Sequence, residues 1–149
     1  MHNLKYHGDQ KTGVWLGELL AKHLSVLLPE LEWKIVPVPI HPSKLKKRGF
    51  NQTEVIAKGM LIDKRYKIEL EAITRAEKGT SLTKLDRNER STLTESLYQL
   101  HPEEKIQGAN VILLDDVLTT GATLTRCAQL LRKSKVLRLV ICTLAFSEK

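Results

Sequence analysis

The chain has 149 residues, of which 42% are hydrophobic and 28% charged, as expected for one globular domain with a sizeable core. No apolar run approaches the roughly 20 residues that span a bilayer, and the first ten residues lack the apolar segment of a signal peptide, so we expect a cytoplasmic protein without a membrane partner. The net charge of +7 suits an anionic ligand or a nucleic acid, and the only cysteines, Cys127 and Cys142, form no zinc or disulfide framework and favour small core residues.

The first third of the chain predicts a helix and a strand. Apolar residues at helical spacing predict a helix from about Thr12 to Leu28, and Pro29 ends it. Residues 35–40, with the sequence IVPVPI, predict a strand. Its two prolines are awkward in a central strand, so we expect its end to bend away from its neighbours.

A basic segment follows this strand, and a second helix follows the basic segment. Residues 41–51 contain four cations within five positions, which on their own are typical of a solvated loop. Asn51, with Glu54 three residues later, predicts the start of a helix. The apolar residues after it extend that helix to about Lys64.

The second half of the chain alternates strands with helical segments. Residues 70–75 predict a strand, residues 97–100 a short edge strand, and residues 136–144 a final buried strand. The segment 76–94 between the first two is polar and charged. Together with a helix that ends near Lys133, this alternation predicts an α/β fold with a mainly parallel sheet.

The most informative stretch is 111–124, VILLDDVLTTGATL. Its first four residues are apolar without alternation, which is typical of a parallel strand buried on both faces. Asp115 and Asp116 follow, and a Thr-Thr-Gly turn then opens a helix near Gly121–Thr123. The start of a helix offers free N–H groups and the positive end of its dipole, so this loop predicts an anion site to which threonine hydroxyls can add.

Two carboxylates beside an anion site indicate a ligand that carries both an anionic group and hydrogen-bond donors, such as a sugar phosphate. The phosphate would lie in the loop, and ribose hydroxyls would donate to Asp115 and Asp116, directly or through a divalent metal. Because consecutive strand residues point to opposite faces, both aspartates reach one ligand only if the strand ends at Asp115. The less specific interpretation is a strand, a threonine-capped helix and two solvated acids.

The stretch 111–124 resembles the loop that binds phosphoribosyl pyrophosphate (PRPP) in type I phosphoribosyltransferases. A second resemblance runs from about Leu4 to Leu144. The segment HPSKLKKRGFNQ after VPVPI is similar to the signature of ComF-type phosphoribosyltransferases, which are amidophosphoribosyltransferase-like and associated with DNA uptake and competence. The resemblance implies the type I fold, with a mainly parallel sheet flanked by helices. It also implies one domain over residues 1–149 with a small hood in residues 1–30, and we expect no amino-terminal zinc ribbon.

The resemblance also implies a reaction, in which the phosphoribosyl group of PRPP moves to an unidentified nitrogen acceptor and pyrophosphate leaves, with Mg²⁺ as cofactor. The catalytic pair would be Asp115 and Asp116, which would hold the ribose and, through ribose or water, the metal. The 5′-phosphate would lie against Thr119, Thr120, Gly121, Ala122 and Thr123. The pyrophosphate would be bordered by Ile40, His41, Lys44, Arg48, Arg75 and Arg87.

The segment 76–94, which would close over PRPP, departs from the family pattern. Leu82 stands where a glutamine is usual, and Leu93 stands near a usual asparagine. These departures leave open whether the chain turns PRPP over or only senses it. The basic clusters favour another alternative, a module on the same fold that handles single-stranded DNA. A second copy of the chain and competence proteins are the other partners we consider.

Overall fold

The structure is a computed structural model that describes residues 10–29, 32–76, 97–101 and 105–147. The predictions that concern 4–9, Leu82, Arg87 and Leu93 lie outside these residues. The described elements are, in chain order, α1 (Gln10–Leu27), β1 (Trp33–Pro37), α2 (Pro42–Arg48), α3 (Gln52–Met60), β2 (Tyr66–Ile68), β3 (Ile73–Arg75), β4 (Tyr98–Leu100), β5 (Asn110–Leu118), α4 (Ala122–Lys133) and β6 (Arg138–Phe146).

Four of the strands form a parallel sheet in the order β2-β1-β5-β6. Strand β5 is central, and its residues 111–114 are fully buried, as their unbroken apolar run predicted. Strands β3 and β4 form a separate antiparallel pair. The predicted α/β fold with a mainly parallel sheet is therefore confirmed.

Helices cover both faces of the parallel sheet. Alternate residues of β1 and β5 point to opposite faces, so Ile35, Ile112 and Leu114 pack with α1 and α3 in one buried cluster. Their neighbours Val36, Val111 and Leu113 pack with α4 in a second buried cluster. Burial on both faces fixes β5, and with it the residues at its carboxyl end.

Helix α1 lies in the segment expected to contain the hood. Its buried residues Ala21 and Leu24 pack with Ile56 and Met60 of α3, so the described part of the segment belongs to the core. The hood itself and the single domain remain predictions. Within the part of the chain that the structure describes, no helix is both long and apolar enough to cross a membrane.

Several predicted elements differ from the observed ones. The basic segment predicted as a loop contains α2, because Pro42 starts the helix and Gly49, at φ 80°, ends it. Helix α3 ends at Met60 rather than near Lys64. Strand β6 was expected to be buried. It lies at the edge of the sheet, where Ile141 is half exposed.

Candidate functional site

The candidate site opens where β1 separates from β5. The last ladder pair of these strands is Pro37 with Leu114, and the Val38 N–H still donates to the Leu114 carbonyl at 2.8 Å. Beyond this point, among the residues that the structure describes, β5 pairs only with β6, as far as Leu118. The condition that the central strand ends at Asp115 is therefore not met, because β5 continues and the neighbouring strand ends instead.

A cavity of about 180 Å³ occupies the space that β1 leaves, and both aspartates line it. The Oδ1 of Asp115 accepts a hydrogen bond from the backbone N–H of the next residue, Asp116, at 2.8 Å. Both side chains are partly buried. Two consecutive strand residues can thus border one cavity without a break in the strand, contrary to the sequence-based argument.

The predicted anion loop adjoins this cavity. Gly121 precedes α4 at φ 74°, a conformation that favours glycine, and no side-chain hydrogen bond caps the helix. The Ala122 N–H makes only a long contact of 3.4 Å to the Thr120 hydroxyl. A recess of about 50 Å³ is lined by Asp115 and by residues 117–124, so it contains all five predicted loop residues. Asp115 and Thr123 line both the recess and the cavity.

A second part of the cavity lining comes from the segment after β1. Pro39, Ile40 and His41 line the cavity, as do Lys44 and Arg48 of α2. His41 caps α2, since its Nδ1 accepts a hydrogen bond from the Ser43 N–H at 3.2 Å. This role as an acceptor assigns the ring proton to Nε2, which is then available as a donor.

The start of α3 forms a part of the cavity that the sequence analysis did not assign to the site. Asn51, Gln52 and Thr53 line the cavity, and each is at least 96% buried. The side chains of Asn51 and Thr53 donate to the Val38 carbonyl at 3.1 and 2.9 Å. The only signal for them was the FNQ end of the ComF-type signature, where Asn51 was interpreted solely as a helix start.

The cavity lining carries side chains of both charges. Arg75, from the end of β3, joins Lys44 and Arg48 as its cationic lining, and Asp115 and Asp116 are its carboxylates. The Arg75 guanidinium also lies 5.1 Å from the centre of the Tyr98 ring, a contact that helps to orient it. The structure thus brings together every predicted site residue except Arg87, which lies outside the described residues.

The donor set of this cavity fits a magnesium ion that a ligand helps to hold. Among the described residues no three His, Cys, Asp or Glu side chains group as a metal site. An adjacent pair of carboxylates nevertheless suits Mg²⁺, which usually keeps several waters and binds one or two carboxylates together with phosphate oxygens. Asp115 and Asp116 are therefore the residues that could hold it.

Neither cysteine has the properties of a nucleophile. Burial, reinforced by the negative charge of Asp115, raises the pKa of Cys127 to about 12. Burial also raises the pKa of Cys142 to about 11. A thiol with such a pKa is almost entirely protonated at neutral pH, which agrees with the prediction that both are core residues.

Comparison with known proteins agrees with this geometry. The family model for the phosphoribosyl transferase domain matches residues 39–149. DNA utilization protein YhgH of Escherichia coli (strain K12) is 27% identical over 141 residues, which cover 90% of this chain and 60% of YhgH. Competence protein ComFC of Bacillus subtilis (strain 168) is 29% identical over 136 residues, which cover 91% of this chain and 53% of ComFC. The chain therefore spans between half and two thirds of the length of these curated relatives.

Among solved structures, the glutamine PRPP amidotransferase of B. subtilis, in complex with ADP and GMP, superimposes with a TM-score of 0.63. The match covers 90% of this chain and 26% of that chain, at 16% identity. The superposition shows a shared fold, and at this identity it shows the fold alone.

Proposed function

This chain belongs to the ComF-type, type I phosphoribosyltransferase family, and we propose that it binds PRPP and transfers its phosphoribosyl group to a nitrogen acceptor. One observation carries the proposal. An uncapped helix start and a pair of carboxylates adjoin, and three cations line the same cavity as the carboxylates. A sugar carrying a phosphate and a diphosphate needs these three environments together.

The proposed position of PRPP follows from the chemistry of each wall. The 5′-phosphate fits the recess of residues 119–123, where the N–H groups of the first turn of α4 and the threonine hydroxyls can donate to it. The ribose hydroxyls fit beside Asp115 and Asp116, which accept hydrogen bonds. The diphosphate fits the part of the lining that contains Lys44 and Arg48, which can neutralise its charge.

The proposed reaction is a displacement at C1 of the ribose. The bond from C1 to the pyrophosphate oxygen breaks and its electron pair leaves with pyrophosphate, while the lone pair of the acceptor nitrogen forms the new bond to C1. The transition state has oxocarbenium character, as in glycoside chemistry. Such a reaction depends more on positioning and charge stabilisation than on a strong base.

The residues of the cavity have complementary roles in this proposal. The carboxylates of Asp115 and Asp116 orient the ribose and favour positive charge near C1. Lys44, Arg48 and Arg75 stabilise the negative charge that develops on pyrophosphate, and the His41 Nε2–H adds a donor. Mg²⁺, held by the two aspartates through ribose or water, would supply further positive charge to the diphosphate.

The test is a calorimetric titration of the native chain with PRPP, with and without Mg²⁺, followed by the variant Asp115→Asn/Asp116→Asn. A hydrogen bond to a charged group contributes about 1.5–3 kcal/mol, so we expect PRPP affinity to fall by at least about 100-fold in the double variant. The control Glu18→Gln/Glu71→Gln removes the same charge outside the lining of the cavity and should bind normally. Native affinity in the aspartate variant would contradict the proposed ribose site.

Release of pyrophosphate distinguishes an enzyme from a sensor. An enzyme should release pyrophosphate from PRPP faster when a suitable amine or base is present. A sensor should bind PRPP with the same dependence on Asp115 and Asp116 but release none. The same proposal includes a nitrogen-containing acceptor, a cytoplasmic location and a role in competence.

One observation favours a second candidate function, the handling of single-stranded DNA. The seven-residue helix α2 carries Lys44, Lys46, Lys47 and Arg48, all at least partly exposed, and the chain carries a net charge of +7. DNA phosphates would bind this helix with strong salt dependence. The variant Lys46→Glu/Lys47→Glu should abolish such binding, and PRPP binding should continue because neither lysine lines the cavity.

A further inference from the structure

The structure assigns a ligand-binding role to Gln52: we propose that its side-chain amide donates a hydrogen bond to the diphosphate group of PRPP. This inference rests on the proposed function, because it concerns the same cavity. It adds a neutral donor, at the start of α3, to a wall that the sequence analysis described only by its cations and by residues 40–41.

The side chain of Gln52 is buried but incompletely bonded. Gln52 is 3% exposed, and its Nε2 atom has no hydrogen-bond partner among the described residues. A buried amide group without a partner costs about 1–3 kcal/mol. Native structures therefore rarely contain one unless water, a ligand or a functional need accounts for it.

The neighbours of Gln52 differ in this respect. Asn51 and Thr53 direct their side chains to the Val38 carbonyl and to each other, at distances between 2.7 and 3.1 Å. The polar side chains on either side of Gln52 are therefore already engaged in hydrogen bonds within the chain. Gln52 lines the cavity, although its Nε2 atom is buried in the ligand-free chain, so this nitrogen meets a partner in the cavity once the terminal amide turns.

The position of Gln52 indicates which part of PRPP it contacts. Gln52 lines the cavity together with Pro39, Ile40 and His41, but it does not line the recess of residues 117–124. It is also the first residue of α3, a nine-residue helix whose dipole is positive at this end. Both facts favour a contact with the diphosphate over a contact with the 5′-phosphate.

A neutral amide has a distinct function beside cations. Lys44, Arg48 and Arg75 can attract negative charge over several ångströms, whereas an amide N–H bonds only along its own direction. A rotation of the terminal amide by 180° exchanges its nitrogen and oxygen with little change in shape, so a donor can face the ligand. Gln52 would thus fix the position of a diphosphate that the cations attract.

The variant Gln52→Met tests this assignment, because methionine has a similar volume but no polar hydrogen. The affinity for PRPP in the presence of Mg²⁺ should fall about tenfold or more, the usual effect of removing a hydrogen bond to a charged group. The affinity for ribose 5-phosphate, which has no diphosphate, should change less than twofold. The ligand-free chain should be as stable as the native chain or more stable, since an unpaired buried amide is removed. The control Gln107→Met changes an exposed glutamine and should alter neither affinity.

Other results would contradict the proposed contact between Gln52 and the diphosphate. Native PRPP affinity in Gln52→Met would overturn the inference and leave the proposed function intact, and so would an equal loss of affinity for both ligands. Failure of the native chain to bind PRPP would overturn both proposals. If Gln52→Met does not fold, Gln52→Asn retains the amide but withdraws it by one methylene, and its affinities are judged by the same criteria.

Discussion

Helices α1 and α3 cross so closely that Gly17 has no room for a side chain. A Cβ atom at Gly17 would lie 2.0 Å from the carbonyl oxygen of Ile56 in α3. The reciprocal position has the same property, because a Cβ at Gly59 would lie 2.0 Å from the carbonyl oxygen of Val14. The obstacles are backbone atoms, which cannot rotate away. We therefore expect Gly17→Ala to push the two helices apart.

The geometry determines the size and sign of this effect. Ordinary contact begins at 3.4 Å, so 3.4 minus 2.0 requires a local displacement of about 1.4 Å. Overpacking of a core costs about 1–3 kcal/mol, and a backbone obstacle favours the upper end. Replacing glycine by alanine within a helix gains only about 0.8–1 kcal/mol. The net destabilisation should be about 2 kcal/mol, or a decrease of roughly 4–8 °C in Tm for a chain of this length.

Urea unfolding of the native chain and of Gly17→Ala measures this free energy. The variant Lys22→Ala, on an exposed part of α1, is the control for the effect of alanine on the helix and should unfold close to the native midpoint. A Gly17→Ala chain as stable as the native chain, or more stable, would show that helix propensity outweighs packing. The close crossing of α1 and α3 would then be refuted.

Two further predictions follow from shifted pKa values. Burial raises the pKa of Cys127 to about 12, so an alkylating reagent at pH 8 should modify Cys127 only as fast as the chain unfolds, and rapid modification in the folded state would contradict its burial. Hydrogen bonds from Arg65 lower the pKa of Asp63 from its ordinary value. The ion pair therefore stabilises the fold above about pH 4 and loses its effect as the pH falls through the lowered pKa. Because the pair is partly exposed to solvent, Asp63→Asn should destabilise the fold only slightly at pH 7, and chemical unfolding should show this difference disappearing as the pH falls through the lowered pKa.

The sequence predicted those parts of the site that depend on local chemistry. The apolar run before Asp115 identified a buried strand, and the Thr-Thr-Gly turn identified a helix start, because neighbouring residues determine both features. Gly121 adopts the positive φ that this turn requires. The family resemblance then connected the loop with the distant segment 39–48, and the structure brings the two to one cavity.

Features that depend on distant hydrogen bonds could not be predicted. Strand β5 continues past Asp115 because β6 still pairs with it, and nothing near Asp115 indicates that pairing. The three-residue strand β2 pairs with β1 from Trp33 and Tyr66 onward. Its sequence is too short to show the alternation by which a strand is recognised. The place of Gln52 in the cavity lining was missed for a similar reason, since the lining combines it with residues distant in the sequence, such as Arg75 and Asp115.

Val38 links these local and distant features. Its N–H donates to the Leu114 carbonyl, one residue before Asp115, and its carbonyl accepts hydrogen bonds from Asn51 and Thr53. One buried peptide segment thus fixes the central strand, the cationic wall and the start of α3 relative to one another. A shift of β1 by one residue would move that wall by about 3.3 Å and turn the side chains of β1 to the opposite face of the sheet. Uncharged hydrogen bonds at one buried residue therefore help to set the register between the strand that carries the aspartates and the segments that carry the cations.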